Sequence, residues 1–304
     1  MSVTEPAWGA LPVEQYLLQK WNPDSPLSTD EQRTKLVRAY IQEDVIGPEF
    51  DPARTNGVMV HAPTQDEIAL ILEPWRSQKL RSIAAKHLKA TGMCHDFYFL
   101  RTNYAGGEED GAKLRDWIEF NRDEGFCSMD PDDEWWRILS DVEIFNVDDD
   151  DDWNDWRKVY DILPELAAPE SQRGFTTSDI ADVHEALEAR FGSPEAVKVG
   201  TCEDDYEDAI KDMAASGQFL VVLDRLAFET GELRLLFRDR KGHVVKECGI
   251  EAEELGELVN YCELRSMGES QWWLGAGTGK RYGPKGRIMK GLMRRVMDHG
   301  GSSS

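Results

Sequence analysis

Few residues of this chain are grouped in a way that could support chemistry. The densest group is the run Asp148-Asp149-Asp150-Asp151-Asp152, which invites a calcium reading because oxygen ligands at alternate loop positions hold that ion. Counting from Asp150, ligands fall at Asp150, Asp152, Asn154 and Asp161. Asp155, however, stands where the loop needs glycine, and Asp161 where it needs a bidentate glutamate. Without a metal, the acids favour the positive N-terminal end of the helix expected from Trp153 onward. Gly275-Ala276-Gly277-Thr278-Gly279-Lys280 has the look of a phosphate loop, but Leu274 occupies the first glycine position and Arg281 replaces the hydroxyl residue that would reach magnesium. It reads instead as a flexible basic loop that meets a phosphate by charge alone. His87, Cys94 and His95 form the one close His/Cys group. They lack a fourth ligand, and His87 falls on the apolar face of its helix, as a core histidine does. No GxSxG elbow, HExxH pair, dinucleotide fingerprint or CxxC pair is present. That argues against a serine hydrolase, a zinc peptidase, a Rossmann oxidoreductase and thioredoxin-type redox chemistry, so no cofactor and no metal are expected.

Two sets of residues remain as candidates. Arg101, Thr102 and Asn103, with Asp224 and Arg225, stand where two strands end. In open α/β sheets ligands bind beyond the carboxyl ends of the parallel strands. There Arg101 would clamp an anion and Asp224 would act as acid or base, unless the two form an ion pair at the sheet rim. The second set is Asp148 to Asp152 with Trp153 and Trp156, acids interleaved with aromatics as in many binding patches. The chain holds ten tryptophans, with Trp135-Trp136 and Trp272-Trp273 as further pairs, of which one ring would face the core and the other the surface.

The elements that position these residues centre on Phe219 to Val245. Phe219-Leu220-Val221-Val222-Leu223, Leu233-Arg234-Leu235-Leu236-Phe237 and His243-Val244-Val245 are apolar runs bounded by Gly and Asp, the pattern of strands buried on both faces. Their short links predict an antiparallel meander. Upstream, strand-like Phe97 to Thr102 and Val142 to Val147 and a short strand over Ala196 to Val199 alternate with helices around Leu114, Ile180 and Ile210, which predicts parallel crossovers. Before residue 93 the period is helical, with capping boxes at Ser28/Glu31 and Thr64/Glu67. The fold class is therefore α/β: a mixed sheet with parallel βα units and a C-terminal antiparallel meander, preceded by a helical module. The divisions expected are 1–92 (helical), 93–270 (mixed sheet, with an acidic insertion over about 105–170) and 271–304 (basic, Gly-rich tail). Within that tail Ile288, Leu292, Met293 and Val296 recur at helical spacing and predict a helix docked on the body.

The stretches Phe99-Leu100-Arg101-Thr102-Asn103-Tyr104, Cys202-Glu203-Asp204-Asp205-Tyr206 and Phe219 to Arg225 resemble the motifs of an uncharacterised, mainly actinobacterial family of domains of unknown function, over about residues 97–265. The family's pattern is an IRTDF-like strand, an acidic DDP-Y turn and an FLFVADR strand. This chain separates the first two motifs by a longer acidic segment and lacks the asparagine-rich segment expected after the last strand. The resemblance implies a sheet of this kind and no activity.

Charge decides what partners to expect. Of 304 residues the formal balance is −23, and Glu108 to Glu170 holds 22 Asp and Glu against 6 Lys and Arg, whereas Gly275 to Met297 holds 7 Lys and Arg and no acid. Such a body repels nucleic acid and anionic membrane and suits a basic protein partner. Five widely spaced cysteines fit reduced thiols, and neither a signal sequence nor an apolar run of membrane length is visible, so a cytoplasmic location is expected. The function expected is non-catalytic interaction with a basic partner, and the alternative is an enzyme acting on a small molecule at the sheet rim.

Overall fold

A computed structural model describes residues 5–52, 58–90, 98–123, 138–145, 156–167, 171–215, 219–255, 257–258 and 270–301. The fold is mixed α/β, with helices and a six-stranded sheet, and it divides into two compact units: residues 1–93 with 143–174, and residues 94–142 with 175–304. Among the described residues no helix is long and apolar enough to cross a membrane.

The first unit is helical. Its helices are α1 (Pro12–Lys20), α2 (Thr29–Gln42) and α3 (Gln78–Ala90), and α2 begins at its capping box. Ser28 Oγ accepts from the Glu31 amide and the Glu31 carboxylate accepts from the Ser28 amide at 2.9 Å, which satisfies two donors that a helix start leaves open. The Thr64/Glu67 box opens a turn that continues as a π-helical stretch, Ile68–Leu72. Val13, Leu17, Val37, Ile71, Leu72 and Ala84 fill the core together with Trp156, Val159, Leu163 and Leu166 of the later segment. Two ion pairs are sealed inside this unit. Arg81 Nε lies 2.6 Å from Glu14, and Arg76 grips Glu165 with two bonds of 3.0 and 2.5 Å, all four side chains having no solvent exposure. Backbone bonds complete them: Glu14 accepts from the Gly9 amide, and Arg76 Nε donates to Ile162 O. His87 Nε2 donates to Glu165 O at 2.8 Å, since a carbonyl can only accept, and this is the core role its position predicts. Cys94 and His95 lie outside the described residues.

The second unit carries the sheet, in the order β2-β1-β3-β4-β5-β6, with β1 Phe99–Arg101, β2 Ile138–Leu139, β3 Phe219–Leu223, β4 Glu232–Arg238, β5 Val244–Glu251 and β6 Gly277–Thr278. β2, β1 and β3 run parallel, and β3 to β6 are antiparallel, as the link lengths require. Every residue of β3 is buried. Helices α4 (Gly107–Asp123), α5 (Thr177–Phe191) and α7 (Glu203–Ala215) agree with their periodicity, and α5 ends on Gly192 in the left-handed region.

Several elements differ from the sequence expectation. Val142–Phe145 is a helical turn, and the strand beside β1 is Ile138–Leu139. Ala196 to Val199 lies within helix α6 (Pro194–Gly200), because Ser193 caps it by accepting from the Ala196 amide and proline favours the first helical position. The link after β3 holds a short helix, α8 (Arg225–Thr230), between the Asp224 cap and Gly231. The Gly-rich stretch after 269 is built into the unit rather than loose. It forms α9 (Gln271–Gly275), β6 and α10 (Arg287–Gly301), and both Trp272 and Trp273 are buried, as is Tyr282. On α10 the helical spacing holds: Leu292 and Val296 are buried with Met289, while Ile288 and Met293 pack against the core.

Two outcomes are expected. Leu292→Ala should lower stability by about 2–4 kcal/mol, equally at low and high salt because the loss is apolar, while Lys290→Ala stays within about 0.5 kcal/mol, as read by urea unfolding. Glu165→Ala strands a buried guanidinium and should cost about 3–5 kcal/mol, whereas the pair Arg76→Met with Glu165→Leu costs less than that single change.

Candidate functional site

In the second unit the chain leaves β1 toward β2 on one side and leaves β3 toward β4 on the other. β1 and β3 are parallel neighbours, with Arg101 opposite Leu223, so the seam between them is the switch point at which open sheets bind ligands. The Thr102 amide donates to Leu223 O at 3.0 Å and carries the pairing one residue past the strand.

Beyond that bond the loop folds its polar groups inward. Arg101 is buried, with its guanidinium 4.6 Å from the Tyr104 ring centre and 5.0 Å from that of Phe228. Its Nε donates to Asn103 O at 2.8 Å, and the Tyr104 hydroxyl donates to Arg101 O. Asp110, on the first turn of α4, lies 3.8 Å from Arg101 Nη2, beyond hydrogen-bond reach. Asp110 Oδ2 accepts from the Gly106 amide at 3.1 Å and from Asn103 Nδ2 at 3.3 Å. A side chain at position 106 would put its Cβ 2.2 Å from Asp110 Oδ1, so glycine lets the carboxylate fold back over the loop. Because a carboxylate only accepts, the amide nitrogen of Asn103 must face it, which leaves Oδ1 for other donors. Asn103 is 4 % exposed, and its Oδ1 has no hydrogen-bond partner among the described residues.

The other rim candidates are otherwise engaged. Asp224 Oδ1 accepts from the Ala227 amide at 3.1 Å as the cap of α8, and Oδ2 lies 4.0 Å from Arg234 Nε. The Arg101–Asp224 ion pair does not form: Arg101 faces Asp110 and Asp224 faces Arg234. Exposed Arg225 pairs with Glu229 one helical turn away, at 2.5 Å. Arg101, Thr102 and Asn103 thus come together, joined by Tyr104, Asp110 and Phe228. The signal for Asp110 was its place in the first turn of the helix that follows β1.

Of the acidic set, Asp148 to Asp152 and Trp153 lie outside the described residues. Trp156 is a core side chain of the first unit and not an exposed one: it is 2 % exposed, edge-on to Tyr160, with the Arg157 guanidinium 4.7 Å from its ring. Asp161, the last position of the calcium template, is bound by both arms of Arg38.

A second polar cluster sits at the β4–β5 turn, where the sequence suggested only a turn and a basic loop. Asp239 Oδ1 accepts from the amides of Lys241 and His243, and Oδ2 accepts from His243 Nδ1 at 2.9 Å and from the Tyr282 hydroxyl at 2.7 Å. Arg281 Nη1 lies 2.5 Å from His243 Nε2. A guanidinium only donates, so Nε2 accepts and the ring proton is on Nδ1. Gly279 donates to Val245 O, and a Cβ there would lie 2.1 Å from Val244 O, so only glycine lets this loop approach the strand. Burial pushes the Asp239 carboxyl up, but the hydrogen bonds from His243 and Tyr282 outweigh it and hold the group below the usual carboxylate range. Burial and the adjacent Asp239 carboxylate raise the Tyr282 phenol well above its usual range. The cluster clasps the segment before α10 to the hairpin.

Compared with protein-family models, with curated proteins and with solved structures, the chain gives no match. The site is therefore read from its own geometry.

The clasp has a pH signature. A depressed carboxyl stabilises the fold above the ordinary aspartate value of about 4, and that contribution disappears as pH falls through the lower folded value. Asp239→Asn should lose about 1–3 kcal/mol at pH 7, with the gap from the unaltered chain narrowing at pH 3, as followed by urea unfolding. A gap of equal size at both pH values would show that the charge of Asp239 is not what holds the clasp.

Proposed function

We propose that this is an intracellular, non-catalytic binding protein that takes a small polar molecule at the β1/β3 rim. One observation carries the reading: a nearly fully buried acceptor, Asn103 Oδ1, stands without a partner at the switch point of the sheet. Leaving such a group unmatched costs roughly 1–3 kcal/mol, which a ligand donor recovers. The engagement of Asp224 as a helix cap supports binding over catalysis, because it removes the acid/base residue that an enzyme at this rim would use. The odd number and wide spacing of the cysteines support an intracellular, cytoplasmic setting.

A second reading keeps the acidic stretch as a surface for a basic protein partner, and the balance of 22 acids against 6 bases over Glu108 to Glu170 favours it. Charge of that density steers a basic partner and weakens with added salt. Nucleic acid and anionic membranes are disfavoured by the same balance.

The rim reading is tested by native mass spectrometry of the full chain, mixed with a set of free amino acids, hydroxy acids and sugars. A bound small mass is expected with the unaltered chain and lost in Asn103→Leu. Bare chain mass throughout, both as purified and with the mixture added, would remove the rim as a binding site.

A further inference from the structure

We propose that the molecule taken at the rim is a zwitterionic α-amino acid, its carboxylate on Arg101 and its ammonium between Asn103 Oδ1 and Asp110. The inference rests on the rim-site reading and names its ligand class. Three neighbouring groups are largely buried and incompletely matched. Arg101 uses Nε on Asn103 O, while its Nη2 stands 3.8 Å from Asp110, too far for a hydrogen bond; the two side chains are only 9 % and 8 % exposed. Asp110 spends Oδ2 on Asn103 and Gly106, and its Oδ1 accepts nothing among the described residues. Asn103 Oδ1 is a buried acceptor without a hydrogen-bond partner among the described residues.

Charge selects among ligand classes. A cation and an anion side by side give no net charge, so a simple anion drawn to Arg101 is repelled by Asp110, and a simple cation meets the reverse. A neutral molecule matches Asn103 and leaves both ions underbonded, which is costly for charges removed from water. A zwitterion answers all three groups at once. Its ammonium nitrogen and carboxylate carbon lie about 2.5 Å apart by standard backbone dimensions, so one molecule presents both charges to a pair whose nearest atoms, Arg101 Nη2 and Asp110 Oδ2, stand 3.8 Å apart. The geometry of the loop keeps both ions in place. Tyr104 and Phe228 hold the guanidinium between their rings, and Gly106 leaves room for the carboxylate.

The test is isothermal titration of the full chain with each of the common amino acids, alongside the amine that lacks the carboxylate and the acid that lacks the ammonium for every one that binds. At least one amino acid is expected to bind, with both truncated analogues about tenfold weaker or more, and with a similar loss in Asn103→Leu. Arg101→Lys, which keeps the charge and the fold but not the planar fork, should weaken the amino acid and leave the matching amine unchanged. An amine or acid that binds as well as its parent overturns the zwitterion and leaves the rim site standing. If no amino acid binds while another small mass is retained in the native spectrum and lost in Asn103→Leu, the class is again overturned and the site kept. Silence in both experiments, with only a water on Asn103, overturns both.

Discussion

The constraint on which the rest of this structure depends is that a polar group taken out of water must be met by another. Desolvating an ion costs several kcal/mol, and attraction to a partner recovers this only when the remaining donors and acceptors are also bonded. The helical unit meets the condition twice. Arg81 and Glu14, and Arg76 and Glu165, are fully sealed, and each pair is completed by backbone groups of the segments it joins. These pairs do what apolar packing alone does not, since they tie residues far apart in the chain in one register: Arg76 and Glu165 stand 89 positions apart. The sheet unit applies the same rule at the β4–β5 turn, where both oxygens of the Asp239 carboxylate are spent on the turn amides, an imidazole and a phenol.

Position follows from the sheet. β3 is buried along its whole length and sits between a parallel neighbour, β1, and an antiparallel one, β4. That placement makes the chain depart in opposite directions at the β1/β3 seam and leaves the two strand ends side by side. The residues just past those ends inherit a buried, partly polar setting whatever their role. On β1 the loop turns back through Asn103 and Asp110. On β3 the space is taken by a helix cap, with Asp224 holding α8. The two strand ends thus carry similar residue types and reach different outcomes, because one is followed by a loop and the other immediately by a helix.

Much of the fold was legible because the signals are local. The Ser28 and Thr64 boxes, the apolar runs around Phe219 and the helical period of Leu292 and Val296 each reflect contacts within a few residues or one buried face. What was not legible depended on partners distant in sequence. Val142–Phe145 has the composition of a strand, yet the edge position beside β1 is filled by Ile138–Leu139. Ser193-Pro194 is a helix start, and the strand expected over Ala196 to Val199 overlooks it, an error of local chemistry rather than of distance. The Gly-rich stretch after Glu269 has loop composition. Its glycines instead permit close approach, as at Gly279, and the basic residues around them stay at the surface while Trp272, Trp273 and Tyr282 enter the core. At the rim, strand-end position picks out Arg101, Thr102 and Asn103, which stand at the end of β1 and just past it. It could not reveal Asp110, which is brought in by the fold of the loop, nor that Asp224 would be spent on a cap.

Asn103 Oδ1 is one of a few buried side-chain atoms that no hydrogen bond reaches among the described residues, and the one that lies just past the end of β1. At position 103 Asp110 orients the amide by accepting from its nitrogen, and the oxygen is left without a donor among the described residues. The hydrogen bond to Asp110 accounts for the nitrogen of this amide and not for its oxygen. An amide held by its nitrogen end, with its oxygen presented at the seam of the sheet beside a guanidinium and a carboxylate that also lack full partners, is an arrangement in which local stability has been given up at one place. Strand-end seams are where α/β sheets hold their ligands, and in this sheet that seam is where a buried acceptor, a guanidinium and a carboxylate stand together.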